Sequence, residues 1–211
     1  MPIGKTPPDA GPPAAAGRPA AGSAQTHAPA ARDGLLARLE ARDIAVSAAI
    51  GGRWPHPRWL TVPLGAVSLT GNYGVVWVGL AAIGAAAGAG GFSGRRFAFA
   101  AGAVLATEWI TFSIKLIFRR RRPTQRDPHT AKADIPLPLS PSFPSSHASM
   151  SVVGALAMSV LYPNLWPAFA ALALALAASR VYLRVHFLAD VLAGICLGLA
   201  LGLPYIALVR L

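Results

Sequence analysis

The sequence predicts an all-α, polytopic membrane helical bundle of about five transmembrane helices preceded by interfacial amphipathic helices. Two observations predict it. Of the 211 residues, 54% are apolar and only 13% are charged, where a soluble domain carries about a quarter charged; the mean hydropathy is +0.49. The apolar residues also gather into stretches that reach or approach the roughly 20 residues needed to cross a bilayer, separated by short polar or proline-containing segments. A chain of this length is expected to form one domain.

Residues 1–32 are rich in Pro, Ala and Gly, with almost no large apolar side chains. They cannot bury enough surface to offset the entropy of ordering, so a disordered tail is expected ahead of a membrane domain over 33–211. The tail has no continuous apolar run, and no cleaved signal peptide or additional N-terminal span is expected. After Asp33, Leu35, Leu36, Leu39 and Val46 alternate with Arg38, Glu40, Arg42 and Asp43. This is an amphipathic helix too charged to cross, suited to the membrane surface. Trp54, Arg58 and Trp59 add interfacial anchors. The stretch 60–69 is short and contains Pro63, which suits a partly buried or re-entrant helix. The spans themselves are expected at 75–89, 97–118, 150–162, 166–178 and 187–209. Small residues within them (Gly84, Gly88, Gly102, Gly154, Gly194, Gly198) permit close helix packing.

The formal net charge is +11. In so apolar a chain the cations read as loop anchors, headgroup contacts or phosphate ligands, and nucleic acid is not an expected partner. The single cysteine, Cys196, lies in an apolar run and excludes an internal disulfide.

Because consecutive spans reverse direction, the end of the second (Lys115), the start of the third (His147), the end of the fourth (Arg180) and the start of the fifth (His186) fall on one membrane face. Lys115 and Arg122 are seven apart, about 20° from alignment if one helix carries both. The run Arg119–Arg122 suits a positive-inside anchor equally well, but Lys115 sits inside an apolar span, where charge is costly and usually functional. Pro144-Ser145-Ser146-His147 opens the third span. Free backbone N–H groups and the helix dipole make such a start an anion cradle; a plain serine N-cap beside an interfacial histidine is the alternative. In Ser179-Arg180…His186…Asp190, the i, i+4 pair lets the carboxylate orient the imidazole for attack on phosphorus. A buried helix-end salt bridge is the alternative there.

These three motifs resemble the signature of the type 2 phosphatidic acid phosphatase family, whose superfamily includes lipid phosphatases, bacterial acid phosphatases and vanadium haloperoxidases. The family pattern Lys-x6-Arg-Pro, Pro-Ser-Gly-His and Ser-Arg-x5-His-x3-Asp is met by Lys115…Arg122-Pro123, Pro144-Ser145-Ser146-His147 and Ser179-Arg180…His186…Asp190. Only Ser146 departs from it, and serine disfavours a left-handed backbone that glycine allows. The resemblance implies a phosphoric ester hydrolase with catalytic His186, His147 and Asp190: His186 attacks phosphorus, Asp190 orients it, and His147 protonates the leaving alkoxide and later activates water. It implies Lys115, Arg122, Ser145, Ser146 and Arg180 as the phosphate-binding groups, with no metal and no other cofactor.

Two further features invite readings. Glu108, seven residues before Lys115, is expected to pair with Lys115 or Arg184, or else to line a polar pocket. The polar, Pro-rich segment 124–143, with Arg126, Asp127, His129, Lys132 and Asp134, suits headgroup recognition. The basic bias of the site face places it in the cytoplasm, in a bacterial inner (plasma) membrane. The implied partner is a lipid phosphate in the bilayer, for example a decaprenyl-phosphoryl sugar phosphate, with phosphatidylglycerophosphate, phosphatidate or undecaprenyl diphosphate as alternatives. A soluble-type haloperoxidase, or a non-enzymatic membrane adaptor with a basic lipid-binding face, are the readings from other classes.

Overall fold

The computed structural model of the protein describes residues 31–53, 55–87, 93–126 and 133–208. The tail over 1–30, Trp54, Gly88, Asp127, His129, Lys132 and Arg210, and the side chain of Arg53, lie outside the described residues. The described chain is helical throughout: α1 (Ala31–Arg53), α2 (Arg58–Thr70), α3 (Val75–Ala86), α4 (Gly94–Phe118), a one-turn α5 (Pro123–Arg126), α6 (Ser146–Leu161), α7 (Trp166–Tyr182) and α8 (Leu188–Leu208), with 3-10 turns at Asn72–Gly74 and Pro163–Leu165.

Three of these helices are long and apolar enough to span a membrane: the α4 segment, α7 with the turn before it, and α8. The other two expected spans take a different form. α3 has 12 residues, about 18 Å of helix, and reaches a span's length only together with α2, to which it is joined at a 62° bend. The break falls where Tyr73 and Gly74 take left-handed backbone angles (φ 52° and 70°), and a pair bent in this way suits either one broken span or a re-entrant loop. α6 has only 16 residues. It can be short because it is the inner helix, packed on α4, α7 and α8 together.

Each helix turns a defined stripe inward. On α4, Ala100, Ala103, Val104, Thr107, Thr111 and Lys115 are buried at the i, i+3/i+4 spacing of one helical face, with Phe99 and Ala101 buried beside them. Trp109, Phe112 and Ile117 are exposed, as suits a lipid-facing side. Trp77, Phe99, Val104, Met150, Ala157 and Leu176 share the central core. The hydroxyls midway along α4 are satisfied within the bundle: Thr107 donates to Ala103 O (2.8 Å) and Thr111 to Thr107 O (2.7 Å), while Thr111 and Ser149 hydroxyls meet at 3.0 Å. α8 approaches α6 so closely that a Cβ at Gly194 would stand 2.5 Å from Ser145 O, so only glycine fits there.

α1 is surface-lying, with Leu35, Leu36, Leu39 and Val46 exposed. It is also pinned to the bundle. Arg184 Nε donates to Gly51 O (2.6 Å), Leu188 N to Ser47 Oγ (2.8 Å) and Ala189 N to Asp43 Oδ1 (2.9 Å).

Candidate active site

The ends of α4, α6, α7 and α8, together with the α2–α3 break, converge on one cavity of about 250 Å³. Lys115, Arg122, Ser146, His147, Arg180 and His186 line it, with Glu108, Asn72, Tyr73 and the loop residues Ile135, Pro136, Leu137, Pro138 and Ser140. Lys115, His147, Arg180 and His186, expected on one face from span parity, are brought together at this cavity.

α7 stops where Leu183 N donates back to Ser179 O (2.8 Å) and Arg184 takes a left-handed backbone (φ 61°). The amides of Val185 and His186 then both donate to Arg180 O (3.0 Å each). That turn presents His186, 2% exposed, just ahead of α8. Asp190 lies in the first turn of α8 and its Oδ2 accepts from Phe187 N (3.0 Å), the carboxylate half of a capping box. The same oxygen lies 3.4 Å from His186 Nδ1. On the other side of the ring, Arg122 Nη1 stands 3.1 Å from Nε2. A guanidinium only donates, so its partner nitrogen is the lone-pair nitrogen and the ring proton sits on Nδ1 towards Asp190. Burial first, and then the charges of Arg122 and Arg180, hold the His186 pKa well below its ordinary value. The ring is neutral, and the contact with Asp190 is a hydrogen bond between a neutral imidazole and a carboxylate, not the helix-end salt bridge.

α6 opens at Ser146 with Ser145 at the N-cap, extended at φ −77°, ψ 110°. Ser145 makes no side-chain cap bond, so the plain N-cap reading does not apply. Its amide instead donates to Asp190 O (2.9 Å), fastening α6 to α8. Ser146 is not among the residues with positive φ; it takes the helix backbone that serine tolerates. His147 Nε2 lies 2.9 Å from Ser68 O, and since a carbonyl only accepts, that nitrogen carries the proton.

The cations are held by backbone oxygens. Lys115 Nζ donates to Pro141 O (2.9 Å), and Arg122 donates to Ser140 O (3.2 and 3.0 Å) and Val185 O (3.0 Å). Arg180 Nη1 donates to Ser68 Oγ. Several buried polar atoms have no protein partner: Arg180 Nε and Nη2, Ser145 Oγ, Ser146 Oγ and Glu108 Oε2. Each such group costs about 1–3 kcal/mol if nothing pairs with it. The donors among them, set beside Lys115 and Arg122, make a cradle for an oxyanion. Among the described residues no group of three or more His, Cys, Asp or Glu side chains converges.

Two expectations need correction. Lys115 and Arg122 do not share a helical face, because α4 ends at Phe118, where Arg119 caps it in a left-handed conformation (φ 47°). Residues 119–122 are not helical, and Arg122 reaches the cavity from that segment. Glu108 forms no ion pair with Lys115 or Arg184: it lines the cavity, and Arg184 bonds to Asp134 (3.4 Å). Within the 124–143 loop, Arg126 pairs with Glu40 of α1, and Asp134 also meets His56 (3.0 Å).

Three residues at the site carry no motif in the sequence. Ser68, in α2, touches both His147 and Arg180. Arg120, grouped with the basic run, bonds Asp190 Oδ1 (2.6 Å) and Asp43 Oδ2 (2.7 Å) and stacks over Phe187 (4.3 Å). Asp43 reads in the sequence only as one of the charges of the amphipathic helix. A polar Ser-Leu-Thr-Gly-Asn-Tyr-Gly insert between two apolar stretches was the one available signal for Ser68.

The PAP2 superfamily model matches residues 96–210, just over half of the chain. No curated protein matches significantly. Among solved structures, the chain is similar to a transmembrane PAP2 type phosphatidylglycerolphosphate phosphatase from Bacillus subtilis, with 22% identity and a TM-score of 0.64 over 81% of this chain and 85% of that one. It is similar also to LpxE of Aquifex aeolicus, at 21% identity and a TM-score of 0.63 over 78% of this chain and 94% of that one. A bacterial vanadium-dependent iodoperoxidase shares the fold at 16% identity and a TM-score of 0.63, over 80% of this chain but 48% of the longer protein. The matched family segment contains all three motifs and every residue of the cation-lined cavity from Glu108 to His186. This chain belongs to the PAP2 superfamily, as a membrane-embedded phosphoric ester hydrolase.

Proposed function

We propose that the protein is an integral-membrane lipid phosphatase that hydrolyses a phosphomonoester or diphosphate of a lipid or polyprenyl-linked substrate through a phosphohistidine at His186. The observation that carries this reading is the His186 ring: neutral, with its lone pair on Nε2, and turned to a cavity lined by Lys115, Arg122 and Arg180. In the first step Nε2 bonds to phosphorus and the P–O bond to the lipid breaks. The departing oxygen takes the Nδ1 proton of a protonated His147, which is left neutral with its Nε2–H still on Ser68 O. In the second, water attacks phosphorus, His147 takes up the water's proton, and the P–N bond breaks to release inorganic phosphate. Charge builds on the equatorial oxygens in both steps. Fixed donors aimed there are the main source of stabilisation in phosphoryl transfer, and the unpartnered Arg180 edge and the Ser145 and Ser146 hydroxyls supply them beside Lys115 and Arg122.

The membrane setting supports a lipid substrate, since the cavity lies where span ends meet and a headgroup reaches while its tails remain in the bilayer. Arg58 and Arg119–Arg122 lie at the site end, whereas Arg95 and Arg96 begin α4 at the other end. That asymmetry supports a cytoplasmic site in a bacterial inner membrane. The segment 133–143 supports a headgroup-reading role because it lines the cavity with Ile135, Leu137 and Ser140. Phosphate release from purified protein in bilayers tests the reading, with a decaprenyl-phosphoryl sugar phosphate, phosphatidylglycerophosphate, phosphatidate and undecaprenyl diphosphate compared. Turnover of at least one, lost in His186→Ala, is the expected result; no turnover of any lipid phosphate contradicts it.

A further inference from the structure

α1 lies outside the segment matched by the family model, yet it reaches the nucleophile. Asp43 stands on its inward face with its side chain only 10% exposed. Its Oδ2 accepts from Arg120 Nη2 at 2.7 Å, and the other arm of the same guanidinium donates to Asp190 Oδ1 at 2.6 Å. Asp190 is fully buried, and its second oxygen serves Phe187 N and His186 Nδ1. Asp43 Oδ1 accepts from Ala189 N (2.9 Å), and Ser47, one turn further along α1, accepts Leu188 N (2.8 Å). Two of the free amides at the start of α8 are thus capped by a helix more than 140 residues away in the chain.

We propose that Asp43 is a positioning residue for the nucleophile, acting through Arg120 on Asp190 and holding the start of α8, so that the surface helix α1 completes the active site. The physical reason is directional. The Asp190 carboxylate is held towards His186 Nδ1 at two points, Oδ2 by Phe187 N and Oδ1 by Arg120. Arg120 leaves α4 after the left-handed cap at Arg119 and has no helix to fix it. Its two arms are fixed by the two carboxylates, and its plane by Phe187 (4.3 Å). A bidentate guanidinium between two carboxylates is set in direction as well as in charge. Removing the Asp43 carboxylate frees one arm and lets Asp190 turn. A misplacement of about 1 Å at a nucleophile can cost on the order of 100-fold in rate.

This inference rests on the reading of His186 as the nucleophile, and its test keeps the two apart. Asp43→Asn is nearly isosteric and keeps an oxygen for Ala189 N, so the cap survives while the charge opposite Arg120 is lost. In the full-length protein in bilayers, kcat for lipid phosphate hydrolysis is expected to fall about 10- to 100-fold with KM within about twofold, since no cavity residue has changed. Arg120→Gln is expected to show a similar loss, and the double variant no further loss, because the two act in one chain. An unchanged kcat in Asp43→Asn, or losses that multiply in the double variant, overturns the proposal. A second measurement does not need turnover: in ¹⁵N-histidine NMR, with the His186 signals assigned by their disappearance in His186→Ala, Asp43→Asn shifts the His186 ring nitrogens and leaves those of His147 in place. An unaltered His186 spectrum also overturns it. Wild type that turns over no lipid phosphate counts against the phosphatase reading, and the ring spectrum then decides the role of Asp43 alone.

Discussion

Arg122 Nη1 lies 3.1 Å from His186 Nε2, the nitrogen proposed to carry the attack, and donates also to Val185 O, while its Nε and Nη2 are tied to Ser140 O. On the proposed mechanism, a phosphate oxygen takes over Nη1 as phosphorus approaches Nε2, so Arg122 both fixes the tautomer and receives the substrate.

Arg122→Lys is therefore not conservative here. A lysine has one point of donation where the guanidinium has a planar fork, so it cannot hold Ser140 O, Val185 O and the phosphate together. The expected outcome is a fall in kcat/KM of at least about 100-fold, on the scale seen when one oxyanion donor is removed. Thermal unfolding should show the variant folded. Near-normal kcat/KM in Arg122→Lys contradicts the assigned geometry.

The pH dependence follows from His186. Burial, Arg122 and Arg180 hold its pKa well below the ordinary value, so the folded site is neutral where an exposed histidine, at about 6.5, would already be half protonated. The acid limb of kcat/KM for the free enzyme is expected clearly below pH 6.5. For stability the sign is that of a depressed histidine: the unfolded chain takes up a proton as pH falls through about 6.5 while the folded site does not. The folded state loses stability from that pH downward until the folded pKa is reached. A rate profile with its acid limb at or above 6.5 contradicts the buried neutral ring.

Gly194→Ala tests the close approach of α8 to α6. The added Cβ would meet Ser145 O at 2.5 Å and Ala148 Cβ at 2.9 Å, and a backbone oxygen cannot swing aside as a flexible side chain can. The two helices must part, at a cost of about 1–3 kcal/mol, as for overpacking in general. Because Ser145 N is bonded to Asp190 O across the same contact, activity should fall together with thermal stability. Unchanged stability and activity would show that the contact is looser than described.

Local pattern was enough for the membrane class and for the motif residues, because apolar runs and fixed spacings are properties of neighbours in the chain. Span parity then brought Lys115, His147, Arg180 and His186 to one face without any coordinates. The same local reasoning misled at Arg122, where a seven-residue spacing implied a shared helical face; Arg119 in fact ends α4 four residues beyond Lys115. It misled at Glu108 too, since an acid one helical face from a lysine suggests a pair, while the fold turns Lys115 Nζ to Pro141 O. Ser68, Arg120 and Asp43 were illegible for a different reason. Their partners lie 70 or more residues away, and no spacing rule links a charge on a surface helix to a carboxylate in the first turn of the last span.

The central claim is covalent attachment of phosphate to His186. Rapid quenching of the enzyme during turnover, followed by mapping of acid-labile, base-stable phosphate on its peptides, tests it most directly. Phosphate on the Nε2 of His186, and none in Asp190→Asn or His186→Ala, is the expected result. Phosphate on His147 or on a serine instead, or full turnover by His186→Ala, contradicts it.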